Sequence, residues 1–350
     1  MSTNIADIDK NFQVNEAFGR EDVLMRSCRT TPFAVHGVFH DGESFRRLPR
    51  EFAEGISQKI GYLSLHTAGG RVRFRTDSPF VAVHLISNAL GRMAHFATTG
   101  SAGLDLYADG VYKKTFIPPL DKSSYTGIVE LGERKMREIL IEMPLYSRVL
   151  ELEIGLLPDA TLLEPTPYKH PTPAVFYGSS ITQGGCASRP GTCYQAHISR
   201  RYDLDYINLG FSGNALGERA MAEYIAGLPM SIFFMDYDNN PPTPAHLQQT
   251  HEPFFLTVRQ AHPDLPIIMM SRPKPESALA AHEIERLGII RMTYENALAR
   301  GDRNVYFVDG NTLTALCGNE GTVDACHPTD FGFFSTAQAL CALIDREGLL

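Results

Sequence analysis

The chain changes rhythm near its middle. From about Phe45 to Leu156 apolar residues tend to alternate with polar ones. Val72 and Phe74 sit between Arg71, Arg73 and Arg75, and Val81, Val83 and Leu85 follow. Leu104 and Leu106 come next, and later Leu150, Leu152 and Ile154 alternate with Glu151 and Glu153. A period of two puts one face of a strand on a core. Turn signals separate the runs at Asp41-Gly42, Gly69-Gly70 and Asp109-Gly110, and the last predicts a hairpin. Many short strands without long helical patterns predict an all-β sandwich of jelly-roll type.

From about Pro173 short apolar runs alternate with helical stretches. The runs are Ala174–Tyr177, Tyr206–Leu209, Ser231–Met235, Pro266–Met270 and Val305–Val308. They are nearly continuous in apolar residues, as parallel strands covered on both faces require. Helices are expected around Tyr194–Tyr202, Glu218–Ile225, Ala245–Ala261, Ser277–Ala299 and Ser335–Ile344. Five such alternations predict an open α/β fold on a five-stranded parallel sheet. Between the two rhythms, Glu164–Ala174 holds four prolines in eleven residues. That segment reads as a stiff linker, unfit for helix or central strand. It sets the expected domains at residues 1–168 and 169–350, packed together rather than swinging free.

Composition narrows the function. The 350 residues are 43% hydrophobic and 21% charged, with a formal net charge of −8. That is ordinary globular composition. The acidic balance argues against nucleic acid, whose binders carry a basic face, and against a polybasic membrane anchor. No run approaches the roughly 20 apolar residues of a membrane helix. The first residues lack the basic and apolar regions of a signal peptide, so a cytoplasmic location is expected. Six cysteines are too few for a disulfide scaffold and are expected to be mostly free thiols.

Open α/β sheets bind ligands at the carboxyl ends of their strands. There the chain places Gly178-Ser179-Ser180, Gly210-Phe211-Ser212-Gly213-Asn214, Asp236-Tyr237-Asp238-Asn239-Asn240, Ser271-Arg272-Pro273 and, after a further loop, Asp324-Ala325-Cys326-His327. A hydroxyl, amide donors, a carboxylate and an imidazole on one sheet edge suit acyl transfer through a serine. An Asp three residues before a His can fix the tautomer, leaving Nε2 to take a proton from Ser180. The Ser180 and Gly213 amides and the Asn240 side chain are candidate donors to an oxyanion. Singly, each feature has a plainer reading: Ser180 as a helix cap, Gly213 as a turn, Asn239 and Asn240 as turn residues before two prolines. Asp236 and Asp238 read as cap or loop groups. Arg272 and Arg189 could reach substrate or pair with a carboxylate.

In this order the residues resemble the SGNH, or GDSL-type, hydrolases. More narrowly, the chain is similar to the bacterial group whose N-terminal β-sandwich carries a G-x-D-L-Y motif, here Gly103-Leu104-Asp105-Leu106-Tyr107. The resemblance implies a flavodoxin-like hydrolase domain, with Ser180 as nucleophile and Gly213 and Asn240 as oxyanion donors. It implies Asp324 and His327 as the D-x-x-H pair. Ser179 replaces the usual Asp of the first block, and the third block lacks its G-x-N-D form, so Asn239 competes with Asn240. Asp105 and Tyr107 are expected to tie hairpins together.

The resemblance implies a serine esterase for short acyl esters, with O-acetyl groups on sugar or oligosaccharide as substrate. A thioesterase or broad arylesterase is the alternative within enzymes, and an inactive carbohydrate-binding or interaction protein the alternative outside them. No cofactor is expected, because no phosphate-binding glycine motif is present. No metal is expected, because C-x6-C and C-x8-C among Cys186, Cys193, Cys317 and Cys326 are not zinc spacings. A Cys317–Cys326 disulfide and a homo-oligomer remain open.

Overall fold

The computed structural model describes residues 5–14 and 17–350. Its N-terminal half holds two larger antiparallel sheets. One has the order Leu24–Ser27, Glu151–Leu156, Phe80–Ile86, Tyr125–Glu130. The other runs Leu162–Leu163, Arg71–Thr76, Arg137–Glu142, Leu104–Ala108, Val111–Phe116, with Ala34–His36 also paired to Arg71–Thr76. Val72, Phe74, Leu104, Leu106, Ile139 and Ile141 from one sheet share a core with Val81, Val83, Leu85, Leu152 and Ile154 from the other. The alternation of apolar positions thus faces inward, and Asp109-Gly110 turns the expected hairpin.

The second half is the five-stranded parallel sheet. Its order is Leu204–Gly210, His170–Gly178, Ile232–Asp236, Ile267–Met270, Val305–Val308. Alternate residues serve opposite faces. Val175, Tyr177, Phe233, Met235, Ile267 and Met269 enter one core, and Ala174, Phe176, Ile232, Phe234, Ile268 and Met270 the other. Burial on both faces explains why these strands read as continuous apolar runs.

Three local expectations are corrected. The proline-rich segment is partly strand: the central strand begins at His170 and runs through Pro171 and Pro173. Its register shifts before Ala174, where regular pairing with both neighbours starts, because proline offers no N–H to a ladder. The β-half also contains helices, Arg50–Ile56 and Gln58–Leu63. They are too short to show a helical period. Their apolar residues Ala53, Ile60 and Leu63 pack into a core of the α/β half. Finally, the expected helix Ser277–Ala299 starts at Ala281, behind a 3-10 turn at Glu276–Ala278.

The halves meet along the edge strand Leu204–Gly210. An edge strand leaves a row of carbonyls without a strand partner. Here two buried arginines of the β-half supply donors. The Arg71 guanidinium donates to the Tyr206 carbonyl at 2.9 Å and to Asp205, and lies 3.7 Å over the Tyr206 ring. Arg47 donates to the carbonyls of Asn208 and Gly210, and to those of Leu63 and His66 on its own side. Removing one partner of a buried ion pair costs about 3–5 kcal/mol. Arg71→Met should therefore lower the unfolding free energy by about that amount, read as a lower urea midpoint with an unchanged slope.

Candidate active site

The site grows from the carboxyl end of the central strand. Gly178 closes that strand, and a Cβ there would lie 2.1 Å from the Asp236 carbonyl and from Thr182 Oγ1. Only glycine allows the following turn to sit so close. Ser179 then caps a single helical turn, Ser180–Gln183, its hydroxyl accepting from the Ile181 amide. This cap puts Ser180 at the first helical position, where an amide has no intrahelical acceptor.

His327 arrives from the loop after the last strand. Its Nε2 lies 2.9 Å from Ser180 Oγ, and its Nδ1 lies 2.7 Å from Asp324 Oδ2. The other Asp324 oxygen accepts from the Cys326 and His327 amides at 3.0 and 2.7 Å. Ala325 between them takes φ +62°, a left-handed conformation that costs a non-glycine residue on the order of 1–3 kcal/mol. The carboxylate bonds hold that turn closed. Partial burial favours the neutral acid of Asp324, but the amide and ring of His327 outweigh it and keep the carboxyl below its usual range. Ser180, His327 and Asp324 therefore form one continuous hydrogen-bonded chain.

Gly213 follows the edge strand in a turn at φ +68°, with open space where a side chain would be. Among the described residues, nothing accepts from the Ser180 or Gly213 amide. Two bonds tie the loops together: Ser212 N donates to Gln183 Oε1 at 3.0 Å, and Ala215 N donates to Asn240 Oδ1 at 3.1 Å. Asn239 differs from Asn240, because its Nδ2 is sealed from solvent with no protein acceptor.

The β-half supplies residues that sequence reasoning missed. The Tyr146 hydroxyl donates to the Ser180 carbonyl at 3.2 Å. Gln183 Nε2 donates to His66 Nδ1 at 3.0 Å. Burial, with Arg47 nearby, pushes His66 down to about 3, so this ring is neutral. His95 Nε2 stands 4.0 Å from Asp324 Oδ2, and its ring centre 5.9 Å from that of His327. Beside Ser212 and Tyr146 opens a cleft of about 700 Å³ lined also by Tyr62, His66, Arg92 and Asn214. None of these β-half residues lies in a motif, so only folding reveals them.

The remaining sequence candidates act as supports. The Asp105 and Tyr107 expectation is corrected in its partners. Asp105 does bond Thr115 of the adjacent strand, but it also accepts from Arg189 at 2.7 Å and from the Gly191 amide at 2.9 Å. Arg189 reaches the Tyr107 hydroxyl as well, at 2.7 Å. The G-x-D-L-Y motif thus anchors a loop of the α/β half. Arg272 pairs with Glu283 and donates to Cys326 Sγ at 2.9 Å. Asp238 accepts from the Arg272 amide. All six cysteines are free, so Cys317 and Cys326 form no disulfide. Among the described residues, no helix is long and apolar enough to cross a membrane.

A serine, histidine and aspartate bonded in series on an open α/β sheet define a class of hydrolase. The profile of the GDSL-like lipase/acylhydrolase family matches residues 171–345, and that of the N-terminus of SGNH hydrolase-type esterases matches residues 26–162. The chain belongs to this family and is an esterase by class. A GDSL-like lipase from Bacteroides ovatus is 28% identical over 93% of this chain and 97% of its own, with TM-score 0.82. A salicylyl-acyltransferase from a tetracycline biosynthetic pathway is 22% identical over 95% and 99%, with TM-score 0.77. A family two carbohydrate esterase from Clostridium thermocellum, solved with cellohexaose, is 16% identical over 81% and 94%, with TM-score 0.58. No curated protein matches the chain.

Beneath the site, Asp236 accepts from the Thr182 hydroxyl at 2.8 Å. Burial, reinforced by Asp238, pushes its carboxyl well above the usual range. A folded value above the unfolded one stabilises the fold fully at low pH and loses that stabilisation as pH rises through the folded value. Asp236→Asn removes the titration and keeps an acceptor for Thr182. Its melting temperature should gain on wild type as pH rises from about 5 to about 9, as measured by differential scanning fluorimetry.

Proposed function

We propose that the protein is a serine esterase that hydrolyses short acyl esters, with O-acetyl groups on carbohydrate as its substrate class. The hydrogen-bonded series Ser180–His327–Asp324 carries this reading. Ser180 Oγ attacks the ester carbonyl while His327 Nε2 takes its proton, and the Asp324 carboxylate holds Nδ1–H and the imidazolium that forms. His327 then protonates the departing alcohol, and the same base activates water to release the acyl group.

The Ser180 and Gly213 amides and the Asn240 side chain receive the oxyanion. Their unspent donors support that role. Asn240 is preferred over Asn239 for two reasons. Its oxygen is bound to the loop that follows Gly213, which leaves its NH2 for the site, and the Asn239 NH2 is closed to substrate. The cleft supports a sugar: exposed Tyr62 offers an aromatic face, and His66, Arg92 and Asn214 offer hydrogen bonds. Several similar folds belong to carbohydrate esterases, among them an acetyl xylan esterase from Butyrivibrio proteoclasticus.

Hydrolysis of a chromogenic acetyl ester tests the assignment. Ser180→Ala should abolish turnover, and Asp324→Asn, which leaves the wrong tautomer, should lower kcat by about 10⁴-fold. Asn240→Ala should cost about 10²–10³ in kcat, or about 2.7–4 kcal/mol, whereas Asn239→Ala should leave kcat unchanged. Acetate release from an acetylated oligosaccharide should exceed butyrate release from its butyryl counterpart. A Ser180→Ala protein that retains wild-type turnover would sink the reading.

A further inference from the structure

Three potential metal ligands meet beside Ser180. The ligand atoms of His95, Cys186 and His327 all lie within 4.8 Å of one another. Each comes from a different segment: His95 from the β-half, Cys186 from the turn after the Ser180 helix, and His327 from the last loop. This is why no cysteine spacing announces the group. Cys186 is held at φ +73°, which fixes its position in that turn, and the His95 side chain is half exposed.

We propose that this cluster is an inhibitory binding site for a thiophilic divalent cation of the Zn²⁺ class. Thiolate and imidazole are the ligands Zn²⁺ prefers, whereas Mg²⁺ and Ca²⁺ take oxygen. Three protein ligands and a water would complete a tetrahedron. With Zn–N of about 2.0–2.1 Å and Zn–S of about 2.3 Å, ligand atoms sit about 3.4 Å apart. The cluster therefore closes by about an ångström on binding, a movement available to the exposed His95 side chain.

His327 decides what the ion does. Its Nδ1 is bonded to Asp324, so Nε2 is the nitrogen that ligates. A carboxylate on the far nitrogen is the usual second contact of a zinc-bound histidine, and here Asp324 already provides it. The same Nε2 lone pair is 2.9 Å from Ser180 Oγ and is the base of the proposed reaction. Metal and proton transfer compete for one lone pair. Burial, with Asp324 and Cys326 nearby, pushes the Cys186 thiol up to about 12. As the S–metal bond forms, the thiol proton passes to solvent, and no oxidation is involved. The inhibitory consequence rests on the esterase reading, while the binding site itself does not.

Two readouts separate those claims. The EDTA-treated, desalted full-length protein is titrated with Co²⁺, followed by its thiolate charge-transfer absorption, and acetyl ester turnover is measured with Zn²⁺ added. The expected result is one Co²⁺ per chain with a thiolate band, at micromolar concentration or below. Zn²⁺ should displace it and inhibit turnover over the same range, and EDTA should restore activity. Cys186→Ser should lose the band and weaken Zn²⁺ inhibition at least tenfold, and His95→Ala should weaken both at least tenfold, inhibition being read against each variant's own metal-free turnover. Mg²⁺ and Ca²⁺ should do neither. No thiolate band, or equal binding by wild type and both variants, overturns the site. A band lost in Cys186→Ser with turnover that Zn²⁺ never inhibits overturns the inhibitory role. If no ester is turned over but the band appears, is lost in Cys186→Ser and needs at least tenfold more Co²⁺ in His95→Ala, the site stands and the esterase reading fails.

Discussion

The structure depends on how one edge strand is finished. Leu204–Gly210 borders the parallel sheet, and its outward carbonyls at Tyr206, Asn208 and Gly210 would otherwise face a second molecule or bare water. Arg71 and Arg47 reach across from the β-half and cap all three. Both arginines are buried, so the seam cannot open without exposing unpaired donors and acceptors together. This is a stronger constraint than apolar contact, because a buried hydrogen-bonding group left without a partner costs on the order of 1–3 kcal/mol.

The candidate site takes its geometry from that seam. Gly210 ends the capped strand, and Ser212 and Gly213 follow at once. Gln183 binds the Ser212 amide on one side and His66 of the β-half on the other. Tyr146 holds the Ser180 carbonyl, and Asp105 with Tyr107 holds the Arg189–Gly191 loop. Ser180, the Gly213 turn and the cleft wall are therefore positioned by both halves. The β-half thus contacts the Ser180 turn and brings His95 to within reach of His327.

Much of this was legible from the residues. The β–α alternation located all five parallel strands, since full burial leaves long apolar runs. Ser180, Asp324 and His327 stood at strand ends in order, and a three-residue spacing suits an Asp–His hydrogen bond. The short helices Arg50–Ile56 and Gln58–Leu63 were not legible, because their apolar residues answer to a surface that begins more than a hundred residues later in the chain. The proline-rich segment misled, since proline argues against ladder bonds but tolerates extended backbone at a strand's start. Arg47, Arg71, Tyr146, His66 and His95 carried no signal: each is one ordinary residue until the fold supplies its partner. The G-x-D-L-Y motif marked a place, but only the contact with Arg189 gave it a purpose.

An activated Ser180 hydroxyl is the feature on which the proposed reaction depends. Labelling with a fluorophosphonate, an electrophile that reacts fastest with a serine whose proton is withdrawn by a neighbouring base, tests this directly when followed by peptide mass mapping. One label per chain is expected, on the peptide carrying Ser180, and none after His327→Ala. No label on the folded protein, or a label on another residue, would contradict it.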